Sequence, residues 1–209
     1  MFIAACHEAA ARGLVRCSSG NMSWRVNGKY MLATTTQSWM DRLAPTDVAV
    51  CAIENGKTLN GKKPTAEIVF HASILKTRPD ISVVLHFQSS FATALACRRK
   101  RVKNFFVIPE IPFYIGPVAY LPCLTPGTKE LAVRVTKSMQ KHDMVMMGNH
   151  GQVTGARDFD HAIQNAEFFE LACEIITRNG GNPKLMAKKV VKDLLTLRRA
   201  RQRHGAGII

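Results

Sequence analysis

Two histidines follow hydrophobic runs that have the length and composition of buried strands. His86 closes the run that begins at Ile81, and His150 comes three residues after the run 144–147. Gln88 lies two residues beyond His86. Because side chains at i and i+2 of a strand point to the same side, we expect His86 and Gln88 to share a face. A lone histidine in an apolar strand is more often a hydrogen-bonded core residue than a ligand, but two at neighbouring strand ends suit a metal site.

A carboxylate and a polar turn are further candidates. Glu67 follows Pro64-Thr65-Ala66 at the predicted start of a helix, where it either completes a cap or acts as a general base near a cation. The turn Ser18-Ser19-Gly20-Asn21-Met22-Ser23 is either an ordinary loop or a receptor for a phosphate or carboxylate. His71, four residues after Glu67, is interpreted as a packing or surface residue. The residue types alone leave both pairs of alternatives open.

Predicted helices and strands must hold these side chains in place. Alternation around Asn27-Gly28 predicts a β-hairpin, and a second hairpin is expected between 48–53 and 57–59. Hydrophobic runs predict strands over 81–86, 118–121 and 144–147. Helical periodicity and capping signals predict helices over 2–12, 65–76, 90–99, 158–178 and 184–203, and one that follows Thr125-Pro126-Gly127 and runs to Met139. This order predicts a layered α/β domain with a largely antiparallel or mixed sheet.

The length and composition indicate one globular domain. The chain has 209 residues, of which 46% are apolar, so it can bury a core as a single domain over 1–209. The apolar N-terminal stretch contains Glu8 and Arg12, and no apolar window reaches the length of a membrane span, so neither a signal peptide nor a span is expected. The six cysteines lie far apart without a C-x-x-C motif, which favours a reduced, cytoplasmic protein.

The formal net charge of +14 is concentrated in two segments. Five basic residues lie between 98 and 103, and eight basic residues with one acidic residue lie between 184 and 203. The second segment begins a basic C-terminal helix and tail over about 184–209. No aromatic residues are interleaved with these charges for base stacking. The pattern therefore favours a solvated face or an oligomer contact over a specific nucleic-acid site.

Six short motifs occur in an order that identifies a family. They are Gly20-Asn21-Met22-Ser23, Thr34-Thr35-Thr36, Pro64-Thr65-Ala66-Glu67, the strand into His86, Pro126-Gly127-Thr128-Lys129-Glu130-Leu131-Ala132, and Gly148-Asn149-His150-Gly151 with Gly155. From about Ala10 to Glu174 the chain resembles the class II aldolase/adducin family. The resemblance implies a three-layer α/β domain whose central, mainly antiparallel (mixed) sheet is flanked by helices. It also implies a homotetramer with active sites at subunit interfaces.

The resemblance implies an enzyme that reversibly cleaves a ketose 1-phosphate, of the fuculose 1-phosphate type, to dihydroxyacetone phosphate and an aldehyde. A divalent metal, Zn²⁺ in the aldolases, would stabilise the enediolate formed when the carbon–carbon bond breaks. Glu67 matches the family's proton-transferring carboxylate. Tyr114 is the candidate for the tyrosine that serves the aldehyde oxygen.

Phosphate and metal ligands are also assigned by the resemblance. Gly20, Asn21, Thr36 and Thr65 match the phosphate pocket. Gln37 stands there in place of a usual glycine and Ala66 in place of a usual serine, which removes close backbone approach and one donor. The aldolases bind zinc through three histidines, of which His86 and His150 match two, and Gln88 stands at the position of the third.

The glutamine leaves three outcomes open for the metal. Gln88 binds through its amide oxygen, or Glu67 supplies the third protein ligand, or the site has lost its metal. The last outcome would make the chain a non-catalytic, oligomeric interaction module like adducin heads. A sugar-phosphate epimerase is a further alternative, which Glu67 disfavours because the epimerases of the family tend to have aspartate there.

Overall fold

A seven-stranded mixed sheet forms the centre of the molecule. The computed structural model describes residues 1–203, so the predicted tail beyond Arg203 lies outside the described residues. The strand order is β3-β2-β1-β4-β7-β6-β5, and every neighbouring pair is antiparallel except β5–β6. The strands are Asn21–Arg25 (β1), Tyr30–Thr34 (β2), Val48–Ala52 (β3), Val83–Phe87 (β4), Ala119–Leu121 (β5), Met144–Met147 (β6) and Gly151–Ala156 (β7).

Helices cover both faces of the sheet and divide the core in two. The helices are Phe2–Ala11 (α1), Ile68–Thr77 (α2), Ser90–Ala96 (α3), Lys129–Met139 (α4), Phe159–Arg178 (α5) and Lys188–Arg203 (α6). Apolar residues of α1, α3 and α5 form one buried cluster, and those of α2 and α4 form the other. The fold is therefore the predicted single α/β domain with helices on either side of a mixed sheet.

Local signals account for several element boundaries. Thr128 caps α4 by accepting a hydrogen bond from the Leu131 amide, and Asp158 caps α5 by accepting one from His161. The hairpin predicted at Asn27-Gly28 joins β1 and β2, and the Asn27 carboxamide oxygen accepts hydrogen bonds from two backbone amides of the turn. These boundaries follow from the sequence because both partners of each contact are close in the chain.

Strand β7 was not predicted. Its sequence, Gly151-Gln-Val-Thr-Gly-Ala156, is rich in glycine and polar residues, yet every one of its residues is buried. The strand is held between β4 and β6, which satisfy its backbone hydrogen-bonding groups on both edges. Non-local pairing therefore produces a central strand from a segment that has little hydrophobic periodicity.

Three other boundaries differ from the prediction. The helix predicted from Thr65 begins at Ile68, because the Thr65 amide still donates to the Thr34 carbonyl in an extension of the sheet (2.9 Å). The C-terminal helix begins at Lys188, four residues later than expected, and the Met186 amide before it bonds to Phe106. The predicted strand 57–59 is reduced to one bridge, Cys51 with Thr58. None of the helices within residues 1–203 combines the length and hydrophobicity that crossing a bilayer requires.

Candidate functional site

Three chain segments meet at one end of strand β4. Val84 packs in the core under α2 and α4, so strand alternation directs His86 to the same side, towards the start of α2. Glu67 occupies the N-cap position of α2, and His150 lies in the turn that leads from β6 into β7. Strands β4 and β6 run in the same direction on either side of β7, which brings their ends together as the sequence predicted.

Glu67, His86 and His150 form a compact buried group. The His86 Nε2 atom lies 3.5 Å from Glu67 Oε2, and the His150 Nε2 atom lies 3.5 Å from Glu67 Oε1. The two imidazole rings are 4.9 Å apart between centroids and nearly perpendicular. One ligand atom from each of the three side chains lies within 4.8 Å of the others. A Glu–His–His group that can hold a divalent metal ion is therefore present.

The hydrogen bonds around this group fit a cation between the three side chains. His86 Nδ1 donates to the Gln152 carbonyl oxygen at 2.8 Å, so in a neutral imidazole Nε2 carries a lone pair that faces the carboxylate. Two acceptors that face each other are stabilised by a proton or metal ion between them. Glu67 Oε1 and His150 Nδ1 are buried without a hydrogen-bond partner among residues 1–203. Such atoms are uncommon in a folded core unless a ligand or ion binds them.

Burial and mutual charge set the protonation of the group. Burial of the Glu67 carboxyl raises its pKa, but His86, the hydrogen bond from Asn21 and His150 outweigh this, so the net pKa lies below its usual value. Burial and, to a smaller extent, the neighbouring His86 lower the pKa of His150 to about 4 against the opposing effect of Glu67. At neutral pH the group therefore offers an anionic carboxylate and an unprotonated His150, the forms that bind metals.

The sequence interpretation of His71 as a packing or surface residue missed its hydrogen bonds. His71 is fully buried, with Nδ1 2.7 Å from the Ser23 hydroxyl and Nε2 2.6 Å from Asn21 Oδ1. Asn21, assigned to the phosphate pocket by resemblance, donates from Nδ2 to Glu67 Oε2 at 3.0 Å. The spacing of Glu67 and His71, one helical turn apart, was the available signal for this contact.

Gln88 lies beside His86, as the strand alternation predicted. A Cβ atom on Gly151 would stand 2.9 Å from the His86 ring and 2.7 Å from both Gln88 Cγ and the Phe87 carbonyl oxygen. The absence of a side chain at Gly151 therefore lets His86 and Gln88 occupy this face together. The half-buried Gln88 side chain makes no hydrogen bond to any other described residue.

The predicted phosphate-binding residues lie in segments that adjoin the group. Gly20 has a φ of +72°, and a Cβ there would lie 2.8 Å from the His86 carbonyl oxygen. The segment that contains Thr36 lies next to the segment that contains Thr65. A hydrogen bond from the Thr36 amide to the Lys63 carbonyl oxygen (3.1 Å) joins the two segments. Gln37, at the position of a usual glycine, has a left-handed φ of +61°. Its backbone therefore keeps the conformation that glycine adopts most readily.

Tyr114 lies away from the group within the chain. It belongs to a π-helical turn, Ile111–Ile115, and its ring stacks on Phe168. It lines a cavity of about 390 Å³ together with Ile81 and Ala156, which lie at the opposite end of the β4–β7 pair from His86. The candidate tyrosine and the Glu–His–His group are therefore not brought together by a single subunit.

The fold and the site define an α/β protein with a candidate centre for a divalent metal. Residues 1–177 match the family model described as Class II Aldolase and Adducin N-terminal domain, and the chain belongs to this family.

Relatives with different named activities share most of the chain. It is 29% identical over 187 residues to the 3-oxo-tetronate 4-phosphate decarboxylase of Haemophilus influenzae, covering 88% of this chain and 89% of that protein. It is 32% identical over 169 residues to the L-fuculose phosphate aldolase of Methanococcus maripaludis, covering 81% and 90%. The solved structure of an L-fuculose 1-phosphate aldolase superposes with a TM-score of 0.82 and 25% identity, covering 93% and 92%.

Proposed function

We propose that the chain is a metal-dependent lyase that breaks a carbon–carbon bond next to the ketone of a phosphorylated sugar or sugar acid. The observation that carries this proposal is the convergence of Glu67, His86 and His150 in one buried group. Such a group combines metal ligands with a carboxylate that can transfer a proton. A purely structural cluster would leave the buried Glu67 Oε1 without a function.

The three side chains are proposed as the protein ligands of the ion, which we take to be Zn²⁺. When bound, the ion supplies the positive charge that favours an enediolate over the ketone. Oε2 of Glu67 is anchored by Asn21, while Oε1 has no hydrogen-bond partner among the described residues and is the atom available to hold the ion or move a proton. His86 keeps its orientation through the bond from Nδ1 to the Gln152 carbonyl.

Aldol cleavage of a ketose 1-phosphate is the first candidate reaction. It requires a group that exchanges a proton with the departing aldehyde oxygen, and Tyr114 was assigned this role. Because Tyr114 lies at the other end of the β4–β7 pair, the role requires assembly of subunits, for which we propose a homotetramer. In support, Phe113 and Tyr114 are only half-buried within the subunit.

Decarboxylation of a 3-oxo sugar-acid phosphate is the second candidate. Loss of carbon dioxide also leaves the electron pair of the broken bond on the carbon next to the ketone, so that the two carbons form an enediolate. No aldehyde is released, and no proton has to be exchanged with an aldehyde oxygen. The location of Tyr114 outside the site of its own subunit favours this reaction, and the Haemophilus influenzae relative carries the corresponding name. Both candidates use Glu67 to return a proton to the enediolate carbon.

One experiment separates the candidates. Protein purified without added metal is supplied with Zn²⁺ and then incubated separately with fuculose 1-phosphate and with 3-oxo-tetronate 4-phosphate. Release of aldehyde and dihydroxyacetone phosphate supports the aldolase, and release of carbon dioxide supports the decarboxylase. A protein that holds no divalent ion in excess metal would contradict the proposal.

Variants of Gln88 test the ligand set. If Glu67 is the third ligand, Gln88→Ala retains the Zn²⁺ affinity within about twofold, whereas Gln88→His adds an imidazole beside His86 and raises the affinity about tenfold or more. Isothermal titration of the metal-free protein with Zn²⁺ measures both. A large loss of affinity in Gln88→Ala would instead make the amide oxygen a ligand.

A further inference from the structure

A chain of hydrogen bonds runs from strand β1 through helix α2 to the Glu67 carboxylate. It links Ser23, His71, Asn21 and Glu67 through contacts of 2.7, 2.6 and 3.0 Å in that order. All four residues are more than nine-tenths buried. Ser23 and Asn21 are two residues apart on β1, and Glu67 and His71 are four apart at the start of α2. Side chains two residues apart on a strand share a face, as do side chains four residues apart on a helix. Ser23 and Asn21 can therefore meet His71 and Glu67 across one contact surface.

The direction of every hydrogen in this chain is determined by its last member. The Asn21 side chain donates from its amide nitrogen to Glu67 Oε2 at 3.0 Å, as a carboxylate that only accepts hydrogen bonds requires. Asn21 Oδ1 then faces His71 Nε2 and must accept, so Nε2 carries the proton of the imidazole. His71 Nδ1 is left as an acceptor for the Ser23 hydroxyl.

The environment of His71 keeps the imidazole neutral, as this arrangement requires. Burial, with a smaller contribution from His86, lowers the pKa of His71 to about 3 against the opposing effect of Glu67. The His71 ring is also stacked on Phe70, with 4.7 Å between centroids. The Asn21 carboxamide oxygen therefore selects the tautomer, and the Ser23 hydroxyl and the Phe70 ring hold the orientation of the imidazole.

We propose that His71 is a positioning residue that locks the Asn21 amide with its nitrogen towards Glu67. A flipped amide would place the NH₂ group against the Nε2 proton of His71 and Oδ1 against the carboxylate, so His71 disfavours the flip at one contact and Glu67 at the other. Glu67 Oε2 is thereby held, and Oε1 stays directed to His150, 3.5 Å away. The role of His71 in turnover rests on the proposed function, whereas its tautomer and its hydrogen bonds do not.

The predicted tautomer is tested first, on the unmodified protein. Nitrogen-15 NMR of the histidine rings distinguishes a neutral imidazole protonated at Nε2 from one protonated at Nδ1. We expect His71 to be protonated at Nε2 in both the metal-free and the Zn²⁺-supplied protein. A proton on Nδ1 would overturn the proposal whether or not the protein has lyase activity.

Two substitutions at position 71 test the effect on the metal centre. His71→Leu removes both hydrogen bonds, and we expect Zn²⁺ affinity and kcat each to fall about 10- to 100-fold, the range found when the outer hydrogen-bond partners of metal ligands are removed. His71→Gln restores a donor near the Nε2 position and is expected to recover most of both losses. His142 does not belong to this series of hydrogen bonds and supplies the control. The His142→Leu variant should alter neither Zn²⁺ affinity nor kcat.

The outcomes separate this proposal from the proposed function. A folded His71→Leu protein with wild-type Zn²⁺ affinity overturns the positioning role, and so does a His71→Gln protein that recovers nothing. If His71→Leu does not fold, His71→Gln and Ser23→Ala are compared instead. Ser23→Ala leaves the donor to Asn21 in place, so we expect Zn²⁺ affinity to fall less than tenfold. A loss of tenfold or more in Ser23→Ala or in His71→Gln counts against the proposal. If the wild type cleaves neither sugar phosphate, the proposed function fails while the NMR and Zn²⁺ measurements still decide the role of His71.

Discussion

The two ends of the β4–β7 strand pair contain different kinds of polar cluster. At one end, a single carboxylate lies among His86, His150 and, through Asn21, His71. At the other end, the 390 Å³ cavity is lined by four arginines and two aspartates, and the aspartates pair with Arg78 and Arg198. Asp143 accepts from Arg78 at 2.9 Å and also pairs with Arg198. Both carboxylates at the far end are thus paired with arginines, whereas the Glu67 end has buried atoms that find no partner among residues 1–203.

Burial has opposite consequences for the two clusters. The hydrogen bonds that Arg78 donates to Asp80 and Asp143 hold the pKa of its guanidinium above the usual value against the effect of burial, so the group stays charged. At the Glu67 end, desolvation dominates and lowers the pKa values of His71 and His150. The difference shows that paired charges stabilise structure, whereas neutral imidazoles beside one carboxylate remain available to bind a cation.

The largest expected effect is that of Glu67→Gln at the Glu67 end of the strand pair. The amide cannot accept and return a proton, so kcat should fall about 10²- to 10⁴-fold while the fold is retained. Steady-state kinetics and circular dichroism measure this. Glu54→Gln is the matched control because Glu54 is exposed and pairs only with Lys76 among the described residues. Undiminished turnover in Glu67→Gln would remove this carboxylate from the chemistry.

Gly151→Ala should disturb the same end through packing. The added methyl group would meet the Phe87 carbonyl oxygen at 2.7 Å, which is backbone and cannot move aside easily. We expect a loss of about 1–3 kcal/mol in unfolding free energy together with weaker Zn²⁺ binding. Gly28→Ala, with no atom within 4 Å of the new methyl group, is the control and should lie within about 0.5 kcal/mol of wild type. Equal stability of the two variants would contradict the close contact.

Asp143→Asn tests whether the far end is purely structural. It removes the negative charge that pairs with Arg78 and Arg198, so we expect a loss of about 1–3 kcal/mol in unfolding free energy. Zn²⁺ affinity should be unchanged, because the substitution lies at the opposite end of the strands. Urea unfolding and metal titration measure the two quantities, and the exposed Asp193→Asn serves as control. A change in Zn²⁺ affinity would show that the two ends are coupled.

The most gradual expected effect is the pH dependence that His71 contributes. An unfolded histidine has a pKa of about 6.5, and folded His71 one of about 3, so between these values only the unfolded chain binds the proton. The contribution of His71 to the free energy of unfolding is therefore fully present above about pH 6.5. It decreases as the pH falls towards 3, by at most about 1.4 kcal/mol per pH unit. Urea unfolding of the metal-free protein between pH 4.5 and 7.5 measures this contribution. The free energy of unfolding should depend more steeply on pH in the wild type than in His71→Leu. Parallel slopes would contradict a neutral buried His71.

Local sequence patterns determined most of the elements and the positions of two of the three proposed ligands. The hydrophobic runs placed His86 and His150 at strand ends, and Asn27-Gly28 located the first hairpin. Glu67 was recognised at the start of a helix, although its two possible roles could not be separated. These features were predictable because turns, caps and periodicity depend on residues that are near one another in the chain.

The tertiary structure alone decided which of these residues meet. The insertion of β7 between β4 and β6 brings His150 next to His86. The sequence did not predict strand β7. The hydrogen bonds of His71 to Ser23 and Asn21 join segments about fifty residues apart in the sequence. The separation of Tyr114 from the Glu67 end depends on the strand order. Contacts of this kind arise from sheet pairing and burial across the whole chain, so local periodicity could not predict them.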